Sequence, residues 1–156
     1  MAAPAMSYLI CSMGLVVLIL VMPYVYSIER DNVVAQIAEA ELAEIADYTS
    51  NTLENLYFLA DSSNQADANL TKELLYLPST VQESFYRLTI SSAGLDASKV
   101  TASLKDKSSF SADSWLIPGL RVSGNYTVEI NNKSIVAGCY RNITDGEFYV
   151  SLGYGV

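Results

Sequence analysis

The chain has 156 residues, 51% of them hydrophobic, with 9 Lys and Arg against 17 Asp and Glu, two Cys and no His. That length holds one modest domain with an appendage, and a net charge of -8 repels a nucleic-acid backbone. The missing His excludes imidazole acid–base chemistry and His-ligated metals. Two Cys make neither a zinc cluster nor a disulfide framework, so the composition points away from an enzyme, a resident metal and a cofactor.

Residues 1–28 contain no charged side chain; the first are Glu29, Arg30 and Asp31. Ten Leu, Ile and Val lie within residues 6–26, among them Leu9, Ile10 and an unbroken run at 15–21 that includes Leu15, Val17, Leu18, Leu20 and Val21. On an insertion scale those ten favour a bilayer by roughly 3 to 6 kcal/mol, and about 20 residues span hydrocarbon as a helix. Seven consecutive aliphatics cover every side of a helix, so apolar material must surround it. Lipid and a bundle of identical helices both satisfy that demand. Three readings compete: a secretory signal, which lacks its basic region and is too short for this run; a permanent single-pass anchor; and an assembly helix that waits in the membrane and then packs on its copies. Gly14 permits close approach and Pro23 removes one helical hydrogen bond, although both residue types are common in membrane helices. Tyr24 and Tyr26 suit an interfacial belt.

From residue 28 to 60 the chain is rich in Ala, Glu, Leu and Ile, which are compatible with helix. An apolar stripe runs through Val34, Ala38, Leu42, Ile45, Thr49, Leu53, Leu56 and Ala60, and its eleven-residue period from Val34 through Ile45 to Leu56 suits a nearly straight helix. Joined to the head, this predicts one helix of about 55 residues, some 80 Å long, unless it breaks near Pro23 or Glu29. The ~90 residues left over are too few to cover such a helix, so the stripe is expected to find partners in trans. Glu39, Glu41 and Glu44 read as a solvated face rather than metal ligands.

The first 71 residues hold nine acids and one base, and the remainder is balanced at eight each. Texture changes with charge near 61–67, giving an assembly helix at 1–61 and a β-rich domain at 62–156, the latter expected to be soluble and monomeric alone. Short alternating segments predict strands at 72–77, 84–91, 100–105, 115–117, 126–130, 134–140 and 148–152, with Asn131-Asn132 as a hairpin turn between two of them. The fold class is therefore α+β: a long N-terminal hydrophobic helix and an antiparallel, sandwich-like β-domain.

Four of the nine Asn begin Asn-X-Ser/Thr triplets: Asn69, Asn125, Asn132 and Asn142. With 27 Ser and Thr in 156 residues, chance gives about 1.6, so a glycan-coated surface outside the cytoplasm is indicated. Cys11 and Cys139 both read as buried small apolar residues, not as an internal bridge.

An apolar N-terminal helix with Gly14, Pro23 and Tyr24, an acidic amphipathic continuation and a sequon-bearing β-domain resemble type IV pilin-like subunits, above all archaeal type IV pilins and archaellin-like proteins. The match in motifs is confined to residues 1–30. Ala5, and the lack of any acid before Glu29, depart from the bacterial pattern. The resemblance implies a mature chain whose basic leader has been removed. It also implies a homo-oligomeric extracellular filament, membrane-inserted before assembly, serving adhesion or motility, with covalent N-glycans and no cofactor. The alternative is a single-pass surface protein whose β-domain binds a glycan or protein partner.

Overall fold

The computed structural model describes residues 3–63, 65, 68–93, 97–130 and 133–155. One helix, α1 (Ala3–Ser62), runs 60 residues with Pro23 inside it. Pro23 leaves the carbonyl four residues earlier without a backbone donor, yet no break occurs there or at Glu29. No Gly falls between Gly14 and Gly94 to interrupt the long Ala-, Glu- and Leu-rich stretch. Serines close the helix: the Leu59 carbonyl accepts the Ser63 N–H at 3.2 Å and the Ser62 hydroxyl at 2.9 Å, and the Ser63 hydroxyl donates to the Ala60 carbonyl at 2.7 Å, serving carbonyls of the last turn.

Packing divides the chain into two compact units, 1–37 and 38–156, whereas the secondary structure changes at Ser62. The second unit holds the rest of α1 and eight strands: β1 (Asn69–Glu73), β2 (Tyr86–Ser92), β3 (Ser98–Leu104), β4 (Ser111–Trp115), β5 (Leu120–Val122), β6 (Tyr126–Glu129), β7 (Ile135–Arg141) and β8 (Phe148–Tyr154). They form two four-stranded sheets, ordered β1-β7-β8-β5 and β4-β3-β2-β6. Every pairing is antiparallel except β5 with β8. This is the α+β class expected from the switch of period along the chain.

Two-residue alternation fixes which face each sheet buries. Tyr86, Leu88 and Ile90 in β2, Val100, Ala102 and Leu104 in β3, Ile135, Ala137 and Cys139 in β7, and Phe148, Val150 and Leu152 in β8 all point inward. The same core takes in Ala38, Leu42, Ile45, Ala46, Leu53, Leu56 and Ala60 of α1. Residue-level ties reinforce that packing. The Ser50 hydroxyl donates to the Trp115 carbonyl at 3.2 Å, the Ile117 N–H donates to Glu54 at 3.0 Å, and the Tyr57 ring meets Phe148 edge-on at 5.0 Å.

Three sequence expectations change. The stripe from residue 38 to 60 finds its partners within its own chain, because β-strand side chains cover it; only Val34 of that stripe is left exposed. The hairpin at Asn131-Asn132 does not form: β6 pairs with β2 in one sheet and β7 with β1 and β8 in the other, while the two Asn lie outside the described residues. Strand β4 begins four residues before the expected segment at 115–117, and β5 was not anticipated; at three residues it carries too little alternation to register. Strand β7 forms its hairpin with β8 instead. Its loop closes through Gly146, at φ +73°, whose N–H donates to the Asn142 carbonyl at 2.8 Å.

Candidate functional site

In the first unit, every side chain from residue 8 to 37 is exposed except half-buried Ala35. The proposed assembly residues Leu9, Ile10, Leu15, Val17, Leu18, Leu20, Val21 and Val34 all lie here, Leu18 with 57% of its surface open. Tyr24 and Tyr26 are exposed as well. From residue 8 to 28 the apolar segment rises about 32 Å along a helix axis, close to the hydrocarbon thickness of a bilayer. By length and composition it is able to cross a membrane. It is also far more contiguous apolar surface than a soluble monomer leaves in water.

Gly14 has no structural purpose inside the chain. A Cβ added there meets nothing within 4 Å, although Gly in a helix interior costs about 1 kcal/mol relative to Ala. Small residues in apolar helices are kept where another backbone approaches closely. Cys11, expected to be buried, is exposed on the same segment. Cys139 is buried in β7, and burial pushes its thiol up to about 11. Both thiols are free.

The remaining assembly candidates divide differently. Leu42 and Leu53 are fully buried, and Ile45 and Leu56 nearly so, in the chain's own core. They are unavailable to a second copy while the second unit stays folded. Of the acids, Glu41 accepts a hydrogen bond from Gln82 Nε2 at 3.0 Å, and Glu39 and Glu44 face solvent. Glu41 and Glu44 border an open cleft of about 470 Å³ with Tyr48 and Tyr76, whose rings meet edge-on at 6.1 Å.

Three sequons are described. Asn69 is exposed on β1, an edge strand; Asn125 is exposed in the turn before β6; Asn142 is half-buried in the β7–β8 loop, where its side-chain oxygen accepts the Thr144 N–H at 3.0 Å. Asn132 lies outside the described residues. Sequence reasoning missed the setting of Asn69. Its register neighbour is an aromatic residue of β7, and only the strand pairing reveals that.

No protein-family model, no curated protein and no solved structure matches this chain. The architecture itself, one long apolar N-terminal helix followed by a β-sheet domain, is that of pilin-like subunits.

Proposed function

We propose that this chain is the structural subunit of an extracellular helical filament of the archaeal type IV pilus kind. The helices of residues 8–37 gather at its centre and the β-domains form a glycosylated exterior that serves adhesion or motility. The observation that carries this reading is the contrast along α1. Among the described residues from 8 to 37 the apolar side chains are exposed apart from half-buried Ala35. Beyond them Ala38, Leu42, Ile45, Ala46, Leu53, Leu56 and Ala60 are buried in the core of the second unit, and only residues on the far side of the helix such as Phe58 and Leu59 stay exposed. The first segment is thus left over after folding, and its stretch before Glu29 is apolar on all sides and in want of neighbours. Subunits joined head-to-tail without closure build open helical polymers. Before assembly, the same segment is suited to the membrane. Sequons at Asn69 and Asn125, exposed on the β-domain, fit an outward surface.

A single-pass anchor with a ligand-binding β-domain makes the same use of the apolar segment in lipid, where a Gly such as Gly14 is common. Shearing cells that express the chain separates the two. A filament subunit is released in fibres visible by negative stain; an anchor stays with the membrane. Leu18→Lys places an uncompensated charge among the packed helices and is expected to abolish fibres while leaving the β-domain folded. Normal fibres from Leu18→Lys overturn the proposal.

A further inference from the structure

The register of the β1-β7-β8-β5 sheet brings a sequon and a pair of tyrosines into one row. Asn69 of β1 lies opposite Tyr140 of β7, Tyr140 opposite Tyr149 of β8, and Tyr149 beside Arg121 of β5. Cys139 and Val150, next along their strands, are buried in the core, so this row occupies the sheet's outer face. The Tyr140 and Tyr149 rings stack with centroids 5.7 Å apart and planes within 20°. Tyr140 thus has Tyr149 as its cross-strand neighbour on one side and Asn69 on the other.

That platform is held in place. The Tyr149 hydroxyl donates to Asp145 Oδ2 at 2.7 Å, and Asp145 Oδ1 accepts the Glu147 N–H at 3.1 Å. The bond from Tyr149 pulls the Asp145 carboxyl below its ordinary range and, reciprocally, pushes the Tyr149 phenol up. One residue pair along, Thr71 faces Gly138 and Gly138 faces Ser151. A Cβ at Gly138 would come within 2.7 Å of the Ser151 hydroxyl oxygen and 3.7 Å of the Thr71 methyl carbon, so these two side chains already cover the buried Gly138 beside the tyrosines. Asn69 stands on the edge strand of this sheet, its Cβ about 5 Å from that of Tyr140 by ladder geometry.

We infer that Asn69 carries an N-glycan whose first pyranose packs its C–H face against the half-buried ring of Tyr140, its cross-strand neighbour. The inference rests on the glycosylated-exterior reading above. Attachment joins Asn69 Nδ2 to the anomeric carbon of an activated sugar donor; the donor's phosphate leaves with the bonding pair, and the amide gives up one proton. The electron-rich ring face then meets the weakly positive C–H bonds of the sugar. Asn125 and Asn142 lie outside the ladders and have no cross-strand aromatic partner in them. The docked sugar covers the edge of β1, a position that otherwise invites strand addition by another chain.

The test uses the full-length chain, produced in an N-glycosylating host and held in detergent. Peptide mass spectrometry first reads occupancy at Asn69. Guanidinium unfolding then compares the parent with Asn69→Gln, Tyr140→Ser and the double variant. Losing the sugar is expected to raise the unfolding constant about fivefold in the parent and to change nothing once Tyr140 is Ser. Tyr140→Phe keeps the ring and is expected to restore the effect of the glycan, which also covers a Tyr140→Ser chain that fails to fold. Sugar ring protons shifted upfield in the parent and in Tyr140→Phe supply a second readout. An occupied Asn69 with additive effects and unshifted sugar protons overturns the docking while leaving glycosylation intact. A bare Asn69 overturns both at this site.

Discussion

Cutting the chain at residue 62, where the helix ends, is expected to leave a β-fragment that does not fold, whereas cutting at 38 leaves one that does. The shorter fragment loses Leu42, Ile45, Leu53 and Leu56, each at least 95% buried, together with Ala38, Ala46 and Ala60. At about 1.5 to 3 kcal/mol for each of the four large side chains, the loss comes to roughly 6 to 12 kcal/mol. A domain's whole stability is about 5 to 15 kcal/mol. The exposed inner faces of both sheets would add an aggregation hazard, and the ties from Ser50 to Trp115 and from Ile117 to Glu54 disappear as well. Fragment 38–156 keeps every one of these contacts and omits Val33, Val34 and Ile37, which are exposed. Amide dispersion in a two-dimensional NMR spectrum and binding of a hydrophobic dye read the outcome. A well-dispersed, dye-free monomer from 62–156 refutes the assignment of the second half of α1 to the β-domain core.

Three further outcomes follow from single positions. Gly14→Ile should leave the unfolding midpoint of the β-domain unchanged but impair or abolish fibres, because the new side chain meets nothing in its own chain; intact fibres count against close helix approach there. Cys139, raised to about 11 by burial, should react with a maleimide at pH 8 about a hundredfold more slowly than an ordinary thiol, while Cys11 reacts readily in detergent-dispersed subunits and becomes protected in fibres. Fast labelling of Cys139 in the folded chain contradicts its placement in the core. The Asp113 carboxyl is lowered chiefly by hydrogen bonds from Lys99 and Thr101, at 2.6 Å each. Its contribution to stability is therefore present above the unfolded carboxylate value of about 3.9 and is lost as pH falls through the lower folded value. Asp113→Asn should flatten that acid limb slightly, since the pair is solvent-screened; an unchanged acid limb removes the ion pair from the account.

The helix was legible because its signals are local: an unbroken apolar run, no Gly from 15 to 93 and a four-three spacing that stays in phase. The strands were legible where apolar residues alternate along seven positions, as in β2, β7 and β8, and less so in five-residue β4, whose inward positions are small or polar. What the pattern lacked was pairing. Tyr126, Val128 and Ile130 alternate just as well toward β2 as toward β7, so the hairpin guess failed on topology rather than on strand content. The stripe at 38–60 has the same spacing whether β-strands or another helix cover it, and periodicity carries no information about which chain supplies the cover. The partnership of Asn69 with Tyr140 spans 71 positions and exists only in the register.

What surrounds residues 8–37 in the native particle decides between a filament and an anchor. Helical reconstruction of sheared surface fibres by electron cryomicroscopy answers this directly. In a filament the side chains of Leu9, Leu18 and Val34 contact neighbouring copies at the fibre centre, with a second backbone close beside Gly14. A native chain that yields no fibres, or yields fibres in which those side chains face only lipid or water, contradicts this.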